Sequence, residues 1–467
     1  MASLYIHVPF CKTRCVYCDF YSQTQQIYIN VYIKTLIREL ELRNDYLEGE
    51  TIETIYWGGG TPSLLQPDDF EFVFNAINRF YDTSSCSEIT LEANPDDITE
   101  SYLTALRRLP FNRISLGVQS FNDNDLRLLN RRHTAQQACD AVSLCQKAGY
   151  SNLSIDLIYG LPGQTPEMWK ENVDKALRLN IPHLSAYHLS YEEGTVMYRQ
   201  LNEKMIEPVS EETSVILFNL LIDKLEAAGY LHYEISNFCK PGYFSRHNTA
   251  YWTDRNYLGI GPAAHSYNHH SRQWNIDSLT DYIEGIMKEV QGSRFKVQSS
   301  KFKVQSARFK VQSARFKVQS ARCKVQSARC KVQSARCKVQ GAKFHVPCFK
   351  SQQPETRNVV SYSGNQKHFF VQSPPLQGAG GCRGFFEKEI IDTKTRYNDY
   401  IMTRLRTMWG IPKPSFLERF GRQQMDYLLQ QAKPYLQNGM IEQNEEMLRI
   451  TRKGLFVADG IIRNLMK

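Results

Sequence analysis

Six short apolar runs rich in β-branched and aromatic residues constrain this chain more than any other feature: LYIHV (4–8), ETIYW (53–57), EITLE (88–92), RISLGV (113–118), LSIDLIY (153–159) and LSAYHL (184–189). The stretches between them carry helical spacing. In NVYIKTLIRELEL, Ile33, Leu36, Ile37 and Leu40 recur at i, i+3, i+4 and i+7, which places them on one face of a helix. In ITESYLTALRRL, Thr99 stands where an N-cap belongs, and Leu103 and Leu106 mark a buried face. Strands alternating with helices pair in parallel, because each helix carries the chain back to the end of the sheet where it started. Six such units predict an α/β fold, a partial (β/α)6 barrel rather than one closed at eight strands, with its chemistry at the carboxyl ends of the strands.

The remainder is organised differently. From Phe295 the chain repeats with a seven-residue period, FKVQSSK, then FKVQSAR and CKVQSAR units, ending in CKVQGAK at 343. The apolar positions of each unit lie two apart, not at the three-then-four spacing of a coiled-coil seam. The repeats carry fourteen Lys and Arg and no acid, so removing them takes the net charge from +9 to −5. A basic tract with regular Phe can touch phosphate and stack bases. The reading adopted is a tandem expansion that stays solvated and disordered, continued by a Gln, Ser, Pro and Gly-rich stretch. It spans 292–384, and no nucleic-acid partner is expected. Residues 1–291 then form the barrel and an accessory region. The tail, 385–467, reads as helices in IMTRLRTMWGI and QQMDYLLQQAKPYL, strand–turn–strand in GMIEQNEEMLRITRKG and a last helix, FVADGIIRNLM: a small winged-helix-like domain.

Three cysteines follow the first run directly, Cys11, Cys15 and Cys18, spaced C-x3-C-x2-C. Three thiols leave one position of a metal centre open, and an open position serves chemistry. MASLYIHVPF lacks the pattern of a secretory signal, and no run reaches 18 apolar residues, so a cytoplasmic protein with reduced thiols is expected. Cys86, Cys139, Cys145 and Cys239 are scattered and read as core or incidental thiols. Other polar groups fall at strand ends: GGGTPS after the second, Glu92 on the third, Gln119 after the fourth and Asp156 in the fifth. The glycines are expected to let backbone N–H groups face a ligand, or to form a plain tight turn.

The cysteine spacing, with Tyr17 before the last thiol on the first strand of a partial barrel, resembles the radical S-adenosylmethionine (SAM) superfamily. YIHVPFC, GGGTPS, SLGVQSF, LNRRH and IDLIYGLPGQT resemble its branch of anaerobic coproporphyrinogen III dehydrogenases (HemN type) and heme chaperones (HemW type), over about 1–291 and 385–467. That resemblance implies that Cys11, Cys15 and Cys18 hold three irons of a [4Fe–4S] cluster while SAM chelates the fourth. It further implies that Tyr5 and the backbone around Tyr17 contact SAM near the cluster, and that Gly59, Gly60 and Thr61 line its amino-acid end. Glu92, Gln119, Arg131, Asp156 and Ser190 would complete the pocket, Arg131 forking onto the SAM carboxylate.

Two features separate the branches. The dehydrogenases carry a fourth cysteine two residues beyond the trio, where this chain has Phe20, and YEISNF, RHNTAYW and LGIGPAAHSY resemble the HemW branch. The implied function is a heme chaperone that binds heme and passes it to acceptors, respiratory proteins that can be membrane-associated. A homodimer is compatible with this reading. The alternative is oxidative decarboxylation of coproporphyrinogen III to protoporphyrinogen IX. His247 and His265 are candidate ligands of the heme iron, beside Tyr251, Trp252 and Tyr267, and His7 is expected to orient the cluster site.

Overall fold

In the computed structural model, residues 1–292 and 385–467 are described. The insertion expected over 292–384, apart from its first residue, lies outside them, as do the repeats and Cys323, Cys330 and Cys337. Each of the six apolar runs forms a strand: β1 Ala2–Val8, β2 Ile52–Gly59, β3 Glu88–Ala93, β4 Arg113–Gln119, β5 Asn152–Tyr159 and β6 His183–His188. They pair in parallel in chain order, with Tyr5 beside Tyr56, Tyr56 beside Thr90, Glu92 beside Ser115 and Asp156 beside Ser185.

The alternation along each strand sorts the two faces of the sheet. On β1, Ala2, Leu4, Ile6 and Val8 are fully buried against the helical layer, while Ser3, Tyr5 and His7 point to the opposite, inner face. The helix Ile29–Leu42 buries Ile33, Leu36 and Leu40, with Ile37 half-buried beside them. Further along the helical layer, Trp57, Phe70, Phe74 and Phe111 meet edge to face. Thr99 caps its helix, accepting the Tyr102 amide at 3.1 Å.

Beyond the six strands, the sheet continues at both edges. Past β6 it adds the antiparallel pair β7 (Leu231–Glu234) and β8 (Asn237–Cys239); past β1 it adds β9 (Tyr257–Ile260), β10 (His265–Tyr267), β11 (Ser271–Asn275) and β12 (Phe386–Ile390). Among the described residues the sheet runs in the order β12-β11-β10-β9-β1-β2-β3-β4-β5-β6-β8-β7, and its two end strands, β12 and β7, do not pair with each other. RHNTAYW forms a helix, Arg246–Trp252, whose first amides are held by a barrel strand. The Arg246 and His247 N–H groups donate to the two carboxylate oxygens of buried Glu88 on β3, at 2.9 and 3.0 Å.

From Thr393 the chain builds a helical unit with its own core. Helices Thr393–Leu405, Lys413–Gln437 (broken at Gly421, φ 79°) and Ala458–Leu465 enclose Tyr397, Phe416, Leu428 and Ile461, beside a small antiparallel sheet of β13 (Ile411–Pro412), β14 (Ile441–Gln443) and β15 (Met447–Ile450). The helix expected through IMTRLRTMWGI stops at Leu405, and Gly410, with φ of 60°, turns the chain into β13. The β14–β15 pair is the expected strand–turn–strand. Among the described residues, no helix is long and apolar enough to cross a membrane.

Candidate functional site

The loop that leaves β1 carries the three cysteines over the carboxyl ends of the parallel strands. It is sewn down at both sides. The Cys11 amide donates to the Gln23 carbonyl at 2.9 Å, Asn130 Nδ2 to the Arg14 carbonyl at 2.8 Å, and the Met197 amide to the Val16 carbonyl at 2.9 Å. Cys11, Cys15 and Cys18 line one cleft of about 900 Å³, counted to its open mouth, together with Tyr17, Gly59, Gly60, Thr61, Glu92, Gln119, Arg131 and Asp156. Eight of the ten residues expected around SAM are thus brought together with the thiols, although they come from five strands and the loops that follow them.

The other two, Tyr5 and Ser190, are not among the residues that line the cleft. The Tyr5 hydroxyl is 3.1 Å from His7 Nδ1 and its ring stacks on Tyr56, while Ser190 is buried. His7 is itself fixed, its Nε2 lying 2.9 Å from the Tyr21 carbonyl, just past Cys18. Burial lowers its pKa to about 4, so the ring is neutral at pH 7 and acts as a strut between β1 and the cysteine loop.

The glycines of GGGTPS, which line the cleft, also serve the packing of the strand ends. The Gly60 amide donates to the Val8 carbonyl at 2.8 Å and the Gly59 amide to Glu92 Oε2 at 3.2 Å, so both N–H groups are engaged within the protein. A Cβ on Gly59 would stand 2.6 Å from the His7 ring, and one on Gly60 would stand 2.6 Å from the Phe10 carbonyl oxygen. Only glycine lets β2 close this tightly on the segment that delivers Cys11.

Within the protein, Arg131 donates to three acceptors. Its Nη1 donates to Cys15 Sγ at 3.3 Å, and its Nη2 to Asn94 Oδ1 and the Gly117 carbonyl, both at 2.6 Å. Asn94 in turn donates to Thr61 Oγ1 at 3.2 Å, and Thr61 donates to Cys11 Sγ at 3.5 Å. Two of the three thiols therefore sit in one hydrogen-bonded network centred on Asn94. Burial raises the Cys11 thiol pKa, and the Thr61 hydrogen bond opposes that shift.

Neither Asn94 nor Tyr56 was singled out in the sequence, although Tyr56 donates to Glu92 Oε1 at 2.8 Å and so orients that carboxylate. The available signal was positional. Asn94 follows β3 directly and Tyr56 alternates with the glycine run, so both belong to the inner or upper surface of the barrel. Gln119 ends β4 with φ of 68°, a left-handed conformation costing a non-glycine residue about 1 kcal/mol, held at the cleft wall.

The histidines proposed for heme lie elsewhere. His247 is 1% exposed, with Nδ1 2.8 Å from Thr54 Oγ1 and Nε2 2.9 Å from the Tyr251 hydroxyl. Both ring nitrogens are within hydrogen-bond distance of a hydroxyl, and the ring stacks on Tyr56. His265 is half-buried on β10, opposite and stacked near Trp274 of β11. Of the scattered thiols, Cys145 and Cys239 are fully buried, and burial pushes both up to about 12, as expected of core groups.

Among the described residues, no three His, Cys, Asp or Glu side chains stand close enough to hold a single metal ion. The donor set suits a cluster instead: three soft sulfur ligands, with hydrogen-bond donors aimed at two of them, in one cleft with the polar groups of the strand ends.

Residues 5–176 match the Radical SAM superfamily model and 391–457 the HemN C-terminal domain model. Among characterised proteins, the chain is 40% identical over 289 residues to heme chaperone HemW of Lactococcus lactis, covering 62% of this chain and 75% of that one. It is 35% identical over 295 residues to heme chaperone HemW of Bacillus subtilis, covering 62% and 77%. The fold superposes on that of the coproporphyrinogen III oxidase HemN of Escherichia coli with a TM-score of 0.70, at 19% identity, over 100% of this chain and 90% of that one.

Proposed function

Because the chain belongs to the HemW branch of the radical SAM superfamily, we propose that it is a heme chaperone, holding a [4Fe–4S] cluster and SAM in the cleft and passing heme to acceptor proteins. The observation that carries the cluster and SAM half is the convergence of Cys11, Cys15 and Cys18 with Glu92, Gln119 and Asp156 in one cleft. When bound, such a cluster supplies a one-electron reductant beside the sulfonium of SAM. The chain supplies the positioning. Glu92, fixed by the Tyr56 hydroxyl and the Gly59 amide, offers carboxylate lone pairs to an ammonium or to ribose hydroxyls, and Asp156, 3.4 Å from the Ser115 hydroxyl, offers a second acidic group.

The heme half rests on the chaperone relatives and on Phe20, an apolar side chain in the cleft lining at the position where the dehydrogenase branch carries a fourth cysteine. Of the two candidate histidines, His265 is the accessible one, with the flat face of Trp274 near it. Respiratory proteins, membrane-associated ones included, are the acceptors this reading implies, and a homodimer is compatible with it.

The test uses the full chain, purified and cluster-reconstituted without oxygen, with SAM, a one-electron reductant and coproporphyrinogen III. Absence of protoporphyrinogen from cluster-loaded protein that binds heme supports the chaperone reading, and catalytic turnover overturns it in favour of the decarboxylase. Heme titrations of His265→Ala and His247→Ala follow. Loss of the heme absorbance signature is expected from the first alone.

A further inference from the structure

The Arg131 guanidinium is aimed and locked in a way that a passive lining residue would not need. It comes from the segment after helix Asp123–Leu128, reaches over the end of β4, and meets a thiol 116 positions away in sequence. Two acceptors at 2.6 Å, Asn94 Oδ1 and the Gly117 carbonyl, take Nη2, which fixes the plane of the group and leaves Nη1 directed at Cys15 Sγ. Room for this depends on Gly117, where a Cβ would stand 3.3 Å from Arg131 Nη2 and 3.1 Å from Gln119 Nε2.

We propose that Arg131, held by Asn94 and Gly117, is a positioning residue that sets the reduction potential of the cluster bound by the three cysteines. The inference rests on the cluster reading above and assigns that site its control. Reduction adds one electron to the cluster and therefore one unit of negative charge. A fixed cation donating to one thiolate stabilises the reduced form more than the oxidised one, and so raises the potential. A hydrogen bond to a charged partner is worth enough to change the reduced-to-oxidised ratio by about tenfold, which for a one-electron couple is ~59 mV.

The experiment is a redox titration of the reconstituted full chain, followed by electron paramagnetic resonance, without SAM or heme present. Arg131→Gln, which removes the charge, is expected to lower the reduced-to-oxidised ratio at a given potential about tenfold (~59 mV). Arg131→Lys, which keeps the charge and loses the planar fork, is expected to fall between that variant and wild type. A wild type that holds a cluster while Arg131→Gln shows the same potential overturns the inference and leaves the functional reading intact. A wild type that holds no cluster overturns the reading, and the inference with it. Should Arg131→Gln fail to hold a cluster, Asn94→Leu decides, because it releases Nη2 yet keeps the cation. A shift in the same direction supports the proposal, and an unchanged potential overturns it.

Discussion

Gly60→Ala tests whether the glycine run exists to let β2 close on the cysteine loop. Gly60 does not have a positive φ, so alanine meets no backbone strain there; its methyl group alone is at issue. That methyl would lie 2.6 Å from the Phe10 carbonyl oxygen and 2.9 Å from the Val8 carbonyl oxygen, both backbone atoms that cannot swing aside. Relieving the overlap means moving the Val8–Phe10 segment, and Cys11 moves with it. Overpacking of this kind costs about 1–3 kcal/mol, and the displaced thiol costs cluster capture in addition. The assays are urea unfolding of the cluster-free chain and iron content after anaerobic reconstitution.

Gly229→Ala is the control. It has φ of 80° and nothing within 4 Å of its missing Cβ, so it is destabilised by about 1–2 kcal/mol through conformation alone, with iron content unchanged. If Gly60→Ala unfolds within about 0.5 kcal/mol of wild type and loads iron normally, the steric reading of the GGGTPS segment is wrong.

Glu88→Gln removes the charge that holds the Arg246 and His247 amides, and a stability loss of about 2 kcal/mol is expected from urea midpoints, whereas no shift would show that the helix needs no such anchor. Burial depresses the pKa of His7 to about 4 and of His247 to about 3. Between pH 6.5 and about 4 the unfolded chain takes up protons that these folded imidazoles refuse, so stability falls on acidification by about 1.4 kcal/mol per pH unit per histidine. A flat profile there would contradict their neutral burial. Glu234 runs the other way. Burial pushes its carboxyl up to about 8, so the folded chain binds the extra proton and loses stability as pH rises from 4.5 toward 8. The stability of Glu234→Gln relative to wild type should therefore grow across that interval in parallel unfolding curves, and a constant difference would refute the assignment.

Local pattern was enough to establish the scaffold of this protein. Period-two runs such as LYIHV and RISLGV gather their larger apolar side chains on one face of a strand, the 3.6-residue spacing of NVYIKTLIRELEL gathers them on one face of a helix, and both patterns are written within a few residues. The cysteine trio was equally legible, because its three ligands share one loop. The extension of the sheet to twelve strands was not. β9 to β12 are short, and β12 pairs with β11 across the segment 276–385, so nothing local announces the partnership.

The same limit applies within the site. Arg131, Asn94 and Glu92 are separated by dozens of positions from the thiols with which they line the cleft, and a side chain's partners depend on which strand ends the fold makes neighbours. Arg131 read in sequence as a carboxylate fork because its chemistry allows that. Its geometry, with Nη2 held by Asn94 and Gly117 and Nη1 on Cys15, was decided by the barrel. His247 shows the same, an imidazole able to ligate iron whose two nitrogens lie within hydrogen-bond distance of the Thr54 and Tyr251 hydroxyls. The sequence by itself determined which groups were present and which faces they lay on. The tertiary structure decided which donor met which acceptor, because a hydrogen bond acts over about 3 Å and only packing brings distant residues within that range.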